Sequence, residues 1–205
     1  MRTNRLEAFS DGVLAVVITV MVLELDIPNG ASWHALGDSA QGFLTYALSF
    51  VYIGIYWNNH HHMFQVVEQV SGAVLWANLD LLFWLSLFPF TTAWIDQTGF
   101  ARNPMVVYGV VLLLAALGYY ALQQTIFRAK GGSRLREALG RDFKGKASPF
   151  FYLIGIGLAF VTSWLAMVPY VAVAVMWLVP DRRVERYLAS QRDVIASGRN
   201  SNREA

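Results

Sequence analysis

Four long stretches of this chain carry almost no charge, and they decide what it can fold into. Residues 39–67, 103–127 and 147–180 contain no Asp, Glu, Lys or Arg, and residues 69–95 contain only Asp80. One bilayer crossing takes roughly 20 apolar residues, so each run is long enough to span. The last run, as a single helix, would measure about 50 Å against a hydrocarbon core of about 30 Å. It therefore splits near 163–169 into two short crossings. A less clean apolar run over 9–27 supplies a first span. The chain reads as an all-α integral membrane protein with six transmembrane helices, at about 6–28, 40–63, 72–95, 104–128, 148–164 and 167–180. These form one domain, 1–187, followed by a charged tail, 188–205.

Composition agrees with that class. Only 15% of residues are charged, 56% are hydrophobic, and the mean hydropathy is +0.41, whereas a soluble domain is about a quarter charged. There is no cysteine, which removes disulfides and thiolate metal sites. Six spans also sort the charges. With an even count, the N-terminus, the 64–71 loop, the 129–146 loop and the tail share one side. That side holds every Lys and Arg except Arg102, and the opposite loops hold Glu24, Asp26, Asp38 and Asp96. This is the positive-inside pattern with both termini cytoplasmic. Five spans would put Arg182, Arg183 and Arg186 outside.

Residues 1–25 do not read as a cleaved leader, because Asp11 interrupts the apolar region at its start and no small-x-small site follows before Pro28. The 129–146 segment is polar and basic, a short interfacial helix or a loop that anchors orientation. Membrane orientation accounts for its charges, so nucleic acid is not an expected partner. The tail lacks apolar periodicity and is expected to fray. The last three spans do not repeat the first three.

A polar string, Arg5-Leu-Glu-Ala-Phe9-Ser10-Asp11-Gly12, opens the first apolar helix. A carboxylate at that depth is costly and marks a packed or functional position. At about 100° per residue, Val16, Thr19, Val20, Leu23 and Ile27 fall within about 100° of one another, and Asp11 lies about 140° from Val16. One edge is thus apolar with a single hydroxyl, and the other carries an acid. Hydropathy does not choose which edge meets lipid, and ordinary packing is the plainer reading of Val16, Val20 and Leu23. Polar groups of helix 2 (Trp57, His60) and helix 3 (Asn78) fall at the same membrane level as Ser10 and Asp11. A hydrogen-bonded network among these five is expected to lock helix 1 against helices 2 and 3.

Adjacent helical residues diverge by about 100°, so His60, His61 and His62 cannot ligate one ion, and no metal site is expected. Asp80 is either a structural hydrogen-bonding group or a proton site. No nucleophile elbow, phosphate loop or zinc helix occurs, so the chain is not expected to be an enzyme or to need a cofactor.

Arg5-x-x-x-Phe9-Ser10-Asp11 with Thr19, Leu23 and Pro28 at these spacings resembles the signature of the endosomal and lysosomal potassium-channel family, transmembrane protein 175, in its bacterial branch. Trp57-x-x-His60-His61, Asn78 and Phe88-Pro89-Phe90 are similar too. The likeness is specific over helices 1 to 3 and rests on helix count after about residue 100. It implies a homotetramer in a bacterial cell membrane, with four copies of helix 1 lining a pore for potassium. By family pattern the constriction falls on Val16, Val20 and Leu23, with a hydroxyl ring from Thr19. Arg5, Phe9, Ser10, Asp11, Trp57, His60 and Asn78 form the structural signature. The first ring is usually Ile or Leu in relatives; Val16 is smaller.

No Thr-Val-Gly-Tyr-Gly string is present, so a carbonyl filter is not available. An aliphatic ring closes a path by excluding water and opens on a modest shift of its helix. The expected activity is passive potassium conduction, weakly selective against sodium. Glu24 and Asp26 either concentrate cations at the outer end or are ordinary solvated acids. The alternative is a proton-coupled cation transporter using Asp80 and His60.

Overall fold

The computed structural model describes residues 3–65, 67, 70–128 and 143–178. The tail and most of the basic loop lie outside the described residues. Every regular element among the described residues is helical. Helix α1 runs Thr3–Leu23, α2 Trp33–Asp38, α3 Ala40–Phe64, α4 Gly72–Leu85, α5 Phe88–Gln97 and α6 Arg102–Arg128. Helix α7 is Phe143–Val161, and after a 3₁₀ turn at Ser163–Ala166, α8 is Met167–Leu178.

Local chemistry accounts for the boundaries. Helix α1 stops at Leu23 rather than continuing to 28. Its backbone tightens as the Leu25 N–H bonds the Val22 carbonyl at 3.4 Å, and Pro28 then pushes Ile27 away from helical angles. Gly30, at φ +122°, turns the chain where a side chain would be strained. The short α2 falls between the first two expected spans; the Ser32 hydroxyl caps it by accepting from the Ala35 N–H at 3.1 Å. The expected third span is two helices. Pro89 has no N–H to give the Leu85 carbonyl, so the helix breaks at Ser86–Leu87, where the Leu87 N–H turns back to the Trp84 carbonyl at 3.3 Å. Between α7 and α8, Thr162 is extended.

Three stretches are long and apolar enough to cross a membrane: α1, the α4–α5 pair over Gly72–Gln97, and α6. A shorter apolar stretch is Ser163–Leu178. With lipid outside, helix association rests on close packing and internal hydrogen bonds rather than on expelling water. Helix α6 packs on α4 and α7. Gly118 permits the first contact, since a Cβ there would sit 3.3 Å from Leu81 Cα. The Tyr170 ring fills a slot between Gly109 and Gly155, and its hydroxyl donates to the Met105 carbonyl at 3.2 Å. Tyr52 in turn donates to the Tyr170 carbonyl at 2.6 Å. Ser49 joins α3 to α5 and α6 through Thr92 at 2.7 Å and Tyr108 at 3.0 Å. Helix α1 lies against α3, α4 and α5.

Candidate functional site

Helix α1 has two unlike edges. Leu6, Ser10, Leu14, Val17 and Met21 are buried at the spacing of one helix face. The apolar stripe faces away from the subunit: Val16 is 60% exposed and Leu23 80%, with Thr19 and Val20 between them also exposed. Thr19 donates to the Val16 carbonyl at 2.8 Å, which leaves its oxygen lone pairs outward. Hydropathy had left the choice of edge open; the fold makes it by placing polar partners on one side only. The outward edge borders an open groove of about 1090 Å³ between α1 and α5. Phe9, Gly12, Val16, Val20 and Glu24 line one wall; Pro89, Phe90, Trp94 and Gln97 line the other.

The buried edge is held by polar links. His60 Nε2 donates to Asn78 Oδ1 at 2.7 Å, Asn78 Nδ2 donates to Ser10 Oγ at 3.0 Å, and the Ser10 hydroxyl donates to the Leu6 carbonyl at 2.9 Å. His60, Asn78 and Ser10 are all buried. The chain of donors runs one way, so the proton of the neutral imidazole sits on Nε2. His60 Nδ1 is buried with no hydrogen-bond partner, and a proton there would have no acceptor. Asp11 makes a separate link: the Trp57 indole N–H donates to its Oδ1 at 3.0 Å, on a more exposed flank.

The expected five-residue network is therefore two links. Arg5 and Phe9 belong to neither; both are exposed, and Phe9 lines the groove. Sequence reading missed a third link, His61 Nδ1 to Glu7 Oε1 at 2.5 Å. The signal was present: Glu7 and Asp11 are one turn apart on α1, and Trp57 and His61 are one turn apart on α3, so the pairs align in register. The indole and imidazole stack at 6.2 Å between centroids and 17° between planes.

The three adjacent histidines part ways: His60 meets Asn78, His61 meets Glu7, and His62 Nδ1 is buried without a partner. Among the described residues no three His, Asp or Glu side chains converge as a metal site would need. Asp80 accepts from Trp84 Nε1 at 3.2 Å on an exposed part of α4, so it and His60 hold separate partners. Outside α1, Asp26, Asp38 and Asp96 border a polar pocket at the end where α1 meets the α2 loop.

These features define an all-helical, multi-pass membrane protein whose first helix is fastened along one edge and bare along the other. The family pattern described as Endosomal/lysosomal potassium channel TMEM175 matches residues 5–89, the stretch that contains all three links. A potassium channel of Chryseobacterium sp. (strain P1-3) is 51% identical over 92% of this chain and 98% of its own length. One of Streptomyces collinus is 32% identical over 80% of this chain and 86% of its own. The crystal structure of a lysosomal potassium-selective channel TMEM175 homolog from Chamaesiphon minutus matches with a TM-score of 0.71 at 27% identity, covering 86% of this chain and 96% of that one. The chain belongs to the TMEM175 family, a family of ion channels and not of enzymes.

Proposed function

We propose that this chain is a passive potassium channel, weakly selective against sodium, assembled as a homotetramer of six-span subunits with both termini cytoplasmic in a bacterial cell membrane. Four copies of α1 enclose the ion path. Val16, Val20 and Leu23 form the constriction, and the Thr19 hydroxyls form a polar ring among them. The supporting observation is the bare edge of α1: the helix is anchored by Ser10, Asp11 and Glu7 on one side, while its aliphatic stripe has no cover among the described residues. The potassium named for the relatives from Chryseobacterium and Streptomyces, and for the Chamaesiphon structure, supports the choice of ion.

The physics of such a path is that of a narrow aliphatic ring. Water leaves it when the side chains close in, and ions then meet a desolvation barrier. Potassium sheds its shell more readily than sodium, so a narrow, weakly polar passage favours it. Thr19 oxygens stand in for part of the lost shell. Purified protein in liposomes, with potassium and sodium gradients compared, tests this directly. Val16→Asn should raise conductance by wetting the narrowest ring, and Thr19→Val should shrink the potassium-to-sodium ratio. If neither variant differs from the parent protein, the pore is elsewhere.

A further inference from the structure

The short helix α2 presents three unlike sides. At about 100° per residue, Trp33 and Leu36 lie about 60° apart, while His34 and Asp38 lie about 40° apart on a side about 150° away. Trp33 is 88% exposed, and Leu36 is exposed beside it. His34 Nδ1 and Asp38 Oδ2 meet at 3.2 Å, both well exposed. Ala35 is buried against the subunit, and with Asp38 it borders the polar pocket that Asp26 and Asp96 also line. An indole and a leucine are thus bare on one side of a helix whose other sides meet the subunit and polar groups.

Nothing among the described residues covers that bare side. The remaining segments, 1–2, 66, 68–69, 129–142 and 179–205, fall at the cytoplasmic end in the six-span reading, whereas α2 joins α1 to α3 at the other end. The cover is therefore lipid or a second copy of the chain. No residue of α2 lines the groove beside the outward edge of α1, so this side is separate from the surface assigned to neighbouring copies. The next exposed large apolar residues along the chain, Phe43 and Leu44, open α3, so bare apolar surface runs from α2 onto a spanning helix. Tryptophan concentrates at the membrane–water boundary, where its ring meets acyl chains and its N–H stays with polar groups. These features favour lipid.

We propose that α2 is an interfacial anchor whose partner is a lipid surface: Trp33 and Leu36 sit at the boundary of headgroups and acyl chains in the outer leaflet, and His34 and Asp38 stay in water. This rests on the six-span reading, which makes α1 and α3 consecutive crossings. A helix with one apolar and one polar side lies in the plane of that boundary, held by its apolar side. Ser39 alone separates α2 from α3, while residues 24–32 separate it from α1. The anchor therefore fixes the depth at which α3 begins and tethers the outer end of α1 through a longer link.

The chain has no cysteine, so Trp33→Cys, His34→Cys and Leu36→Cys each accept a single bimane label. The labelled proteins are reconstituted in phosphatidylcholine–phosphatidylglycerol vesicles, with or without phosphatidylcholine brominated near the top of its acyl chains. Labels at 33 and 36 should lose fluorescence to the brominated lipid and resist aqueous iodide, and the label at 34 should do the reverse. The label at 36 should lose its shielding when Trp33→Asp is added and keep it with Trp33→Tyr. Equal iodide quenching at all three positions, with no effect of brominated lipid, would overturn the inference. So would disulfides between subunits in Trp33→Cys with lipid-silent labels at 33 and 36, which would place a second copy there. In spheroplasts an impermeant thiol reagent should reach His34→Cys from outside. If it reaches that thiol only after lysis, the six-span topology and the leaflet named here fall together. The expected side with no lipid quenching removes the anchor alone.

Discussion

At the scale of single residues, Asn78 carries an unusual share. Its amide satisfies His60 with one atom and Ser10 with the other, tying α3, α4 and α1 at one buried point. Asn78→Leu would leave the His60 N–H without an acceptor, and an orphaned buried polar group costs about 1–3 kcal/mol. A lower melting temperature in detergent should follow, and an unchanged one would mean that the link contributes nothing. Asp11 behaves differently because its partner is on a wetter flank. Asp11→Asn keeps an oxygen to accept from Trp57 and should retain most stability and flux. Asp11→Ala should cripple assembly or flux, and equal behaviour of the two variants would show that the Trp57 hydrogen bond is not what matters. Ser10, Asp11, Trp57, His60 and Asn78 were legible because polar residues are rare in apolar runs. Glu7 is not singled out by the sequence, and His61 stands out only as one of three adjacent histidines and in the Trp57-x-x-His60-His61 string, since a residue near a helix end costs little. Only their alignment across two helices gives them meaning.

Elements show where local signals sufficed. Pro28, Pro89 and the Ser32 cap all stand in the sequence, yet apolar content alone carries the first helix past Leu23, runs through the break at Ser86–Leu87 and does not reveal α2. Counting apolar residues finds spans, but a span and a helix are not the same object. The glycines make a sharper case, because sequence alone does not separate Gly155 from Gly157. A Cβ on Gly155 would lie 2.2 Å from Tyr170 Cε1, whereas one on Gly157 meets nothing within 4 Å. Gly155→Ala must push α7 off α8 and should cost about 1–3 kcal/mol. Gly157→Ala should be neutral or stabilise slightly through helix propensity, by up to about 1 kcal/mol. Thermal unfolding of the pair in the same detergent checks both, and equal melting temperatures would mean that the Tyr170 slot is not tight.

For the whole molecule, the bare edge of α1 makes a prediction about assembly. The chain has no cysteine, so a single introduced thiol reports its own surroundings. Val16→Cys, on the outward edge, should form disulfides between subunits, and thiol-reactive cations should reduce flux through it. Val17→Cys, on the buried edge at 5% exposure, should do neither. Each thiol pairs once, so these disulfides stop at covalent dimers; a bifunctional amine cross-linker on the parent protein should reach the mass of four subunits. A monomer under all conditions, or equal reactivity at both positions, would show the stripe turned to lipid.

What the sequence by itself determined is the solvent. Long charge-free runs oblige the backbone to satisfy its own polar groups, and helices are how a chain of this length does so in hydrocarbon. It also marked the first helix as exceptional, through an acid placed where a charge is expensive. What only the tertiary structure decided is the direction in which that helix points. An apolar cylinder has no preferred face in lipid. Its orientation comes from hydrogen-bonding partners contributed by α3 and α4, up to 68 residues away along the chain, and those partners exist only once the bundle has closed.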